Sequence, residues 1–275
     1  MLQEAIDFRD ESTALFELLD PLAEQDFETP TLFKQWTLND ILAHLHYFNL
    51  LADLSLRDEA EFDRLSGALQ AALARENTMI AATDRLLDGL KGPALLTTWR
   101  DTYVAMAHAW AQADPKQRLN WFGPSMSVRS GMSARLMETW AHGQAIVDLM
   151  GIERVNADRI RSIAVMGVNT FAWSFMNRTL EVPGEPPHLR LSAPSGEIWE
   201  WNARSHSDRI SGSAVEFCQV VTQVRNIADT RLIVQGETAA RWMSFAQCFA
   251  GPPEDPPAPG TRLRSTDPFG WRAGR

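Results

Sequence analysis

The chain is poor in cysteine and has no long apolar run. Cys218 and Cys248 are its only cysteines, too few for the paired framework of a disulfide-rich secreted domain, so a reducing cytoplasm is the expected location. The start, MLQEAIDFRDESTALFELL, is charged and lacks the apolar core of a signal peptide, and no stretch of about 18 apolar residues follows it. The sequence therefore predicts a cytoplasmic protein that does not cross a membrane.

Positive charge is also scarce. The 275 residues contain 26 Lys plus Arg against 35 Asp plus Glu, a formal net charge of -9, and lysine occurs only at positions 34, 91 and 116. Nucleic-acid-binding surfaces depend on clustered Lys and Arg, and no basic stripe is visible, so nucleic acid is not an expected partner. Hydrophobic residues make up 45% of the chain, which is enough to bury a core, and the length suits two domains.

The first 155 residues have the pattern of an antiparallel helical bundle. Apolar residues recur at helical spacing, and the short connections favour antiparallel neighbours. Thr37, with Asp40 three residues later, is typical of a capped helix start. A further helix is predicted over 62–89, and the stretch 118–131, rich in Gly, Ser and Pro, is predicted to be a loop.

The pattern changes beyond about residue 155. A helix predicted over 157–180 is followed by short alternating runs typical of strands. The predicted strands are HLRLSA, EIWEWN, SDRISGS and RLIVQG, and two helices are expected in AVEFCQVVTQV and TAARWMSFAQCFA. The predicted fold class is therefore α+β, with a helical bundle over 1–155, a small α+β domain over 156–250 and a Pro/Gly-rich C-terminal tail over 251–275.

The segment ETWAH, residues 138–142, carries the clearest chemical signal. Residues four apart lie on one face of a helix, so Glu138 and His142 can point at the same spot. His44, in the apolar stripe of an earlier helix, can supply a third donor. Two imidazoles and one carboxylate suit a divalent first-row metal and leave coordination positions open for water or substrate.

This spacing is not decisive by itself. An acidic residue four positions before a histidine is expected roughly 0.8 times by chance in this composition, and two such pairs occur, Glu138/His142 and Asp40/His44. Asp40 is predicted to cap its helix rather than to bind metal. The alternative for His44 and His142 is a hydrogen-bonded place in the core. The remaining histidines are predicted to be structural or at the surface: His46, His108, His188 and His206. His46 is expected to point away from the face that carries His44.

Together the motifs resemble a known family. WTLNDILAHL, followed far downstream by ETWAHGQAIVDLMG, is similar to the DinB-like metal-binding bundle of mycothiol-dependent maleylpyruvate isomerases. RISGSAVEFCQVVTQVRN and VQGETAARWMSFAQCFAGPP resemble the domain that accompanies this bundle. The resemblance implies a DinB-like antiparallel four-helix bundle followed by an α+β domain similar to sterol-carrier proteins.

The resemblance also implies an activity. A divalent metal, zinc ahead of iron, nickel or manganese, would be held by His44, Glu138 and His142, and a low-molecular-weight thiol such as mycothiol or glutathione would be the co-substrate. The expected enzyme is an isomerase or S-transferase in which a metal-activated thiolate attacks a small electrophilic, carboxylated substrate. It is expected to be a monomer or a homodimer.

Further residues are assigned roles on this basis. The family's essential arginine matches Arg225 best, and Asp148 is the second catalytic candidate. Arg135 is a candidate for binding the substrate carboxylate. Three tryptophans are expected to form apolar walls of the substrate site, with Trp121 and its neighbour Phe122 at a pocket mouth: Trp36, Trp121 and Trp140.

Two other functions stay open. The same ion could activate water in a hydrolase, with Asp148 or Asp40 as general base. Alternatively, the second domain binds an apolar ligand and the bundle is a non-catalytic scaffold. Thiol-independent turnover would favour the hydrolase, and a purified protein without metal would favour the binding protein.

Overall fold

The computed structural model describes residues 1–121, 123–204, 207–267 and 270–272, which form two compact units. The first unit is Met1–Leu149, joined by a C-terminal helical turn, Gly270–Arg272. The second runs from Met150 to Asp267. The predicted α+β class is confirmed, because the first unit is mainly helical and the second contains a mixed sheet.

The first unit is a helical bundle, as predicted. α5 packs against α1 and α2, α2 also packs against α3 and α4, and side-chain hydrogen bonds join α6 to α2. The helices are α1 (Gln3–Leu19), α2 (Leu38–Arg57), α3 (Glu59–Glu76), α4 (Met79–Leu86), α5 (Gly92–Ala111) and α6 (Val128–Met150).

α2 is buried on most of its surface because it has neighbours on several sides. Tyr47 and Leu51 pack in one apolar cluster with Phe62 and Leu69 of α3 and Ala82 of α4. Burying a large apolar side chain stabilises the fold by about 1.5 to 3 kcal/mol. The packing therefore holds α2 in a fixed position, and with it the histidine that this helix carries.

Two predictions of local structure in the first unit are wrong. The single helix predicted over 62–89 is divided in two, because Asn77 takes a left-handed conformation (φ 60°) that ends α3 and Thr78 caps α4. The predicted loop over 118–131 contains a hairpin, β1 (Arg118–Trp121) and β2 (Gly123–Ser127), followed by the start of α6. Cross-strand pairing outweighed the turn-forming composition of this stretch.

The second unit contains a four-stranded sheet in the order β4-β3-β5-β6, with β3 and β5 parallel and the other pairs antiparallel. All four predicted strands are confirmed. The helix predicted over 157–180 is instead a short 3-10 turn and two helices. The elements are α7 (Arg161–Asn169), α8 (Phe171–Met176), β3 (His188–Ser192), β4 (Ile198–Trp201), β5 (Arg209–Ser213), α9 (Ala214–Val221), β6 (Ile233–Gln235) and α10 (Glu237–Met243).

The Pro/Gly-rich segment after residue 250 belongs to the second unit and makes defined contacts with the rest of it. The amide nitrogen of Asn226 donates to the carbonyl of Pro257 at 2.9 Å, and Gln223 donates to the carbonyl of Glu254 at 2.8 Å. Side-chain amides thus satisfy carbonyl groups of a segment that has no regular secondary structure of its own. Among the described helices, none has the length and apolar character needed to cross a bilayer.

Candidate metal centre

α2 begins with the capping box that the sequence predicts. The hydroxyl of Thr37 accepts from the backbone N–H of Asp40 at 3.1 Å, and the carboxylate of Asp40 accepts from the backbone N–H of Thr37 at 2.8 Å. Asp40 is therefore a capping residue, as predicted. The cap fixes the first turn of α2, and His44 follows one turn later.

Three donor atoms converge between α2 and α6. Nε2 of His44 lies 3.3 Å from Oε2 of Glu138, and Nε2 of His142 lies 3.2 Å from the same oxygen. The potential ligand atoms of these three residues all lie within 4.8 Å of one another. The spacing of four residues on α6 and the docking of α2 thus bring together side chains that are far apart in sequence.

The distances fit a metal centre as well as a hydrogen-bonded cluster. Two ligands that lie about 2.05 Å from an ion at a tetrahedral angle are about 3.3 Å apart, close to both separations at Glu138. The side chain of Glu138 is 25% exposed, whereas those of His44 and His142 are 12% and 11% exposed. The carboxylate therefore lies on the more open side of the cluster, where further ligands can approach.

The charge states suit a divalent cation. Burial, with smaller contributions from the neighbouring His142 and Arg135, lowers the pKa of His44 to about 4 against the opposing hydrogen bond and charge of Glu138. The imidazole is therefore neutral at pH 7, and its lone pair is available. Burial alone would raise the pKa of Glu138, but hydrogen bonds from His142 and His44 outweigh it and hold this pKa well below its usual range. Nδ1 of His44 is buried and has no hydrogen-bond partner among the described residues, so Nε2 is its engaged atom.

Aromatic rings surround the two imidazoles. Trp36 stacks on His142 with an interplanar angle of 4° and a centroid distance of 5.5 Å. The ring of Phe33 is nearly perpendicular to that of His142 (84°) with a centroid distance of 5.0 Å, and the centroid of Phe48 lies 4.7 Å from that of His44. These walls restrict the histidine rotamers and lower the local polarity. Trp36 lies beside the cluster, where the sequence predicts a wall, whereas Phe33 was missed because it belongs to a loop without periodicity.

Arg135 lies one turn before Glu138 but is turned into the bundle. It is 3% exposed, its Nε donates to Oδ1 of Asn49 at 2.9 Å, and its Nη2 donates to the carbonyl of Leu45 at 3.2 Å. Burial lowers its pKa to about 10, so it is still charged at pH 7. These contacts hold α2 against α6 next to His44. The predicted role of Arg135 in carboxylate binding stays a prediction.

The structure does not bring Trp140 or Asp148 to the same face as the donors. Trp140 is fully buried. It is two residues away from both Glu138 and His142, so its side chain points to the opposite side of α6. Asp148 is buried and accepts from Gln144 at 2.9 Å within the same helix. The catalytic role of Asp148 stays a prediction.

The other predicted site residues have separate places. Trp121 ends β1, and its ring lies close to Gly131 of α6, where an added Cβ would be 3.1 Å away; its neighbour Phe122 lies outside the described residues. Arg225 follows α9 in the second unit, where it is buried and its Nη1 donates to the carbonyl of Val224 at 2.9 Å. Their functional roles stay predictions.

The remaining histidines are mostly where the sequence predicts. His108 is exposed, and His188 is buried with its Nε2 2.7 Å from the carboxylate of Glu200. The prediction that His46 points away from the core is wrong, because it is only 2% exposed. α2 has buried residues on more than one face, so helical periodicity could not separate the two histidines. His206 lies outside the described residues.

Comparisons with known proteins identify a family, two relatives and a similar solved structure. The model of the family described as mycothiol maleylpyruvate isomerase N-terminal domain matches residues 8–147. Two Mycobacterium tuberculosis proteins, Uncharacterized protein MT0041 of strain CDC 1551 / Oshkosh and Uncharacterized protein Rv0036c of strain ATCC 25618 / H37Rv, are each 37% identical over 247 residues, which is 90% of this chain and 95% of theirs. A crystal structure of the mycothiol-dependent maleylpyruvate isomerase superposes with a TM-score of 0.48 at 15% identity, covering 79% of this chain and 87% of that one.

Proposed function

Because the chain belongs to the mycothiol maleylpyruvate isomerase N-terminal domain family, we propose that it is an enzyme that uses a divalent metal ion and a low-molecular-weight thiol. The expected reaction is an isomerisation or an S-transfer on a small electrophilic substrate that carries a carboxylate. The observation that supports this most directly is the convergence of His44 Nε2, Glu138 Oε2 and His142 Nε2 within 4.8 Å.

The three residues would hold the ion with one negative charge and two neutral nitrogen donors. When bound there, a divalent ion would favour the thiolate over the thiol of the co-substrate at neutral pH. Zinc is the first choice because it accepts nitrogen, oxygen and sulfur ligands, although iron, nickel and manganese fit the same donors. Mycothiol is the first choice of thiol, since the family is named for it, with glutathione as the alternative.

The chain's own residues would prepare the site for this chemistry. His44 stays neutral because it is buried, and Glu138 stays ionised because two imidazoles lie against it. Trp36 stacks on one face of the His142 ring, and Phe33 packs against the same ring at a near-right angle. An apolar wall next to an ionised carboxylate strengthens electrostatic interactions at the reacting groups.

Metal analysis tests the ligand assignment. We expect about one divalent ion per purified wild-type chain, and loss of most of it in His142→Ala, because a three-residue site that loses one donor binds far more weakly. His108→Ala, which removes an exposed histidine from α5, is the matched control and should keep its metal. Near-stoichiometric metal in His142→Ala would contradict the assignment.

Turnover assays test the reaction. The metal-loaded protein is incubated with mycothiol or glutathione and a cis-unsaturated acid, and separately with amides or esters without thiol. We expect turnover only when both metal and thiol are present, because the thiolate is the proposed nucleophile. Hydrolysis without thiol would instead support a metal-activated water.

A further inference from the structure

Arg135 connects α6 to α2 one turn away from the donor atoms. Its Nε donates to Oδ1 of Asn49 at 2.9 Å, and its Nη2 donates to the carbonyl of Leu45 at 3.2 Å. The guanidinium carbon also lies over the ring of Phe48, 5.9 Å from the ring centroid. One side chain of α6 therefore contacts three residues of α2 that directly follow His44.

These contacts and the donor contacts lie on successive turns of two antiparallel helices. Glu138 of α6 lies against His44 of α2, with 3.3 Å between Oε2 and Nε2. Three residues earlier on α6, Arg135 contacts Asn49, which is five residues later on α2. Residue numbers that fall along one helix and rise along the other are those of an antiparallel pair. The contact of Arg135 therefore determines which residue of α2 lies opposite Glu138.

The two hydrogen bonds of Arg135 can be kept together only in one placement of α2. A guanidinium is planar and its donors diverge at fixed angles, whereas a lysine ammonium is a flexible point charge. One acceptor is a side-chain amide and the other is a main-chain carbonyl, so sliding or rotating α2 breaks at least one bond. A slide by one turn, about 5.4 Å, would also move His44 out of reach of Glu138.

Burial makes these hydrogen bonds costly to lose. Arg135 is 3% exposed, and Asn49 is fully buried. Among the described residues, Arg135 is the only hydrogen-bond partner of the Asn49 side chain, whose Nδ2 is buried without one. A buried cation that loses a partner has no bulk water to replace it. The folded bundle therefore favours the one placement of α2 in which both bonds are made.

We propose that Arg135 is a positioning residue for the metal centre: it fixes the placement of α2 on α6 that brings Nε2 of His44 to Glu138 and His142. The inference rests on the proposed function, because it concerns the affinity for the same ion. The charge of Arg135 alone would act in the opposite direction, since a cation near the donors repels a divalent ion. Positioning and charge therefore predict opposite changes in metal affinity when a neutral residue replaces Arg135.

The affinity for zinc tests the proposal. The dissociation constant is measured on the full-length protein by competition with a chromogenic chelator. We expect Arg135→Met to weaken zinc binding about ten- to hundredfold, as for other residues that orient a metal ligand. Arg135→Lys should weaken it about tenfold, because lysine keeps the charge but not the two directed hydrogen bonds. Unchanged or tighter binding in either variant would overturn the proposal.

Double-mutant cycles test whether Arg135 acts through His44. If Arg135 only places His44, Arg135→Met should change zinc affinity by less than about twofold in a His44→Ala background. This affinity is measured at the higher zinc concentrations that two remaining donors require. A second cycle with Asn49→Leu should also be non-additive, since the two side chains share one hydrogen bond. Losses that add in both cycles would contradict the positioning role.

A displaced ligand must be separated from a destabilised bundle. Leu15→Ala is the matched control, because Leu15 is a buried residue of α1, which packs against α5. Truncation of a buried leucine lowers the stability of a fold substantially, so the unfolding of each metal-free variant is measured alongside. Leu15→Ala should keep zinc affinity within about twofold of wild type, because the folded chain retains its donors. A loss equal to that of Arg135→Met would assign both effects to stability and refute the positioning role.

The wild-type protein separates failure of this inference from failure of the proposed function. If wild type binds about one zinc ion per chain and Arg135→Met binds zinc as tightly, only the role of Arg135 is refuted. If wild type binds no divalent ion, the proposed function and the positioning role are both refuted.

Discussion

The burial of His46 predicts a specific dependence of stability on pH. His46 is 2% exposed, and its Nδ1 has no hydrogen-bond partner among the described residues. Burial lowers its pKa from the ordinary 6.5 to about 4, because the charged imidazolium would lose its hydration inside the bundle. The perturbation is His46→Leu, which replaces the ring with an apolar side chain of similar size.

The sign and size of this pH dependence follow from the pKa values of His46 in the folded and the unfolded chain. Above pH 6.5 the imidazole is neutral in both the folded and the unfolded chain, so its titration contributes nothing to the free energy of unfolding. As the pH falls from 6.5 towards 4, His46 binds a proton in the unfolded chain but not in the folded chain, so the free energy of unfolding decreases. With a folded pKa of about 4, the loss is about 2 kcal/mol at pH 5, where one pKa unit corresponds to about 1.4 kcal/mol.

Urea unfolding followed by circular dichroism measures this loss. Wild type and His46→Leu are unfolded at about pH 7.5 and about pH 5 in the presence of a chelator, and the difference between their free energies of unfolding is compared. The free energy of unfolding of His46→Leu minus that of wild type should be about 2 kcal/mol larger at about pH 5 than at about pH 7.5. The chelator and the subtraction remove the contributions of His44 and Glu138, which are present in both proteins.

His108→Leu is the matched control, because it removes an exposed histidine from the same bundle. Its difference from wild type should be the same at both pH values. If the wild-type and His46→Leu proteins lost stability in parallel between these pH values, the buried histidine would have to be solvated or charged in the folded state. The reasoning from burial would then be refuted.

Two further predictions concern single elements. Thr37→Ala should lower the free energy of unfolding by about 1 kcal/mol, because it removes the side chain that caps α2, whereas Thr37→Ser keeps the hydroxyl and should lose little. Urea titration of both variants measures the difference, and a Thr37→Ala protein as stable as wild type would contradict the prediction. Gly236→Ala should cost about 2 to 4 kcal/mol, because φ is 90° and an added Cβ would lie 2.6 Å from the carbonyl oxygen of Ser207. Gly184→Ala, where no atom lies within 4 Å of the added carbon, is the control for the same thermal unfolding measurement, and a similar melting temperature for both variants would refute the steric argument.

The parts of the site that could be predicted are those governed by helical spacing. Glu138 and His142 are one turn apart on a long helix, so their convergence follows from the pitch. The start of α2 was equally predictable, because Thr37 and Asp40 form a capping box whose hydrogen bonds are local. The apolar stripe of α2 did not separate His44 from the buried His46, and only the docking of α2 on α6 brings His44 to the other two residues.

The parts that could not be predicted depend on contacts between distant segments or on unusual backbone conformations. Lys34 (φ 50°) and Gln35 (φ 61°) take left-handed conformations that nothing in their residue types indicates, so the turn before α2 could not be anticipated. The same holds for Asn77, whose left-handed conformation divides a predicted helix in two. The orientation of Arg135 depends on Asn49 of another helix, a contact that leaves no periodic signal.

The separation of the donors along the chain has a consequence for biosynthesis. His44 is 94 residues from Glu138, so a nascent polypeptide that has not yet emerged beyond α5 exposes a single donor of the three. A single donor binds an ion far more weakly than the complete set of three, whereas the apolar contacts of the helices can assemble the bundle without an ion. Metal should therefore bind after translation and assembly of the bundle, and chaperones that bind the nascent chain would bind its metal-free form.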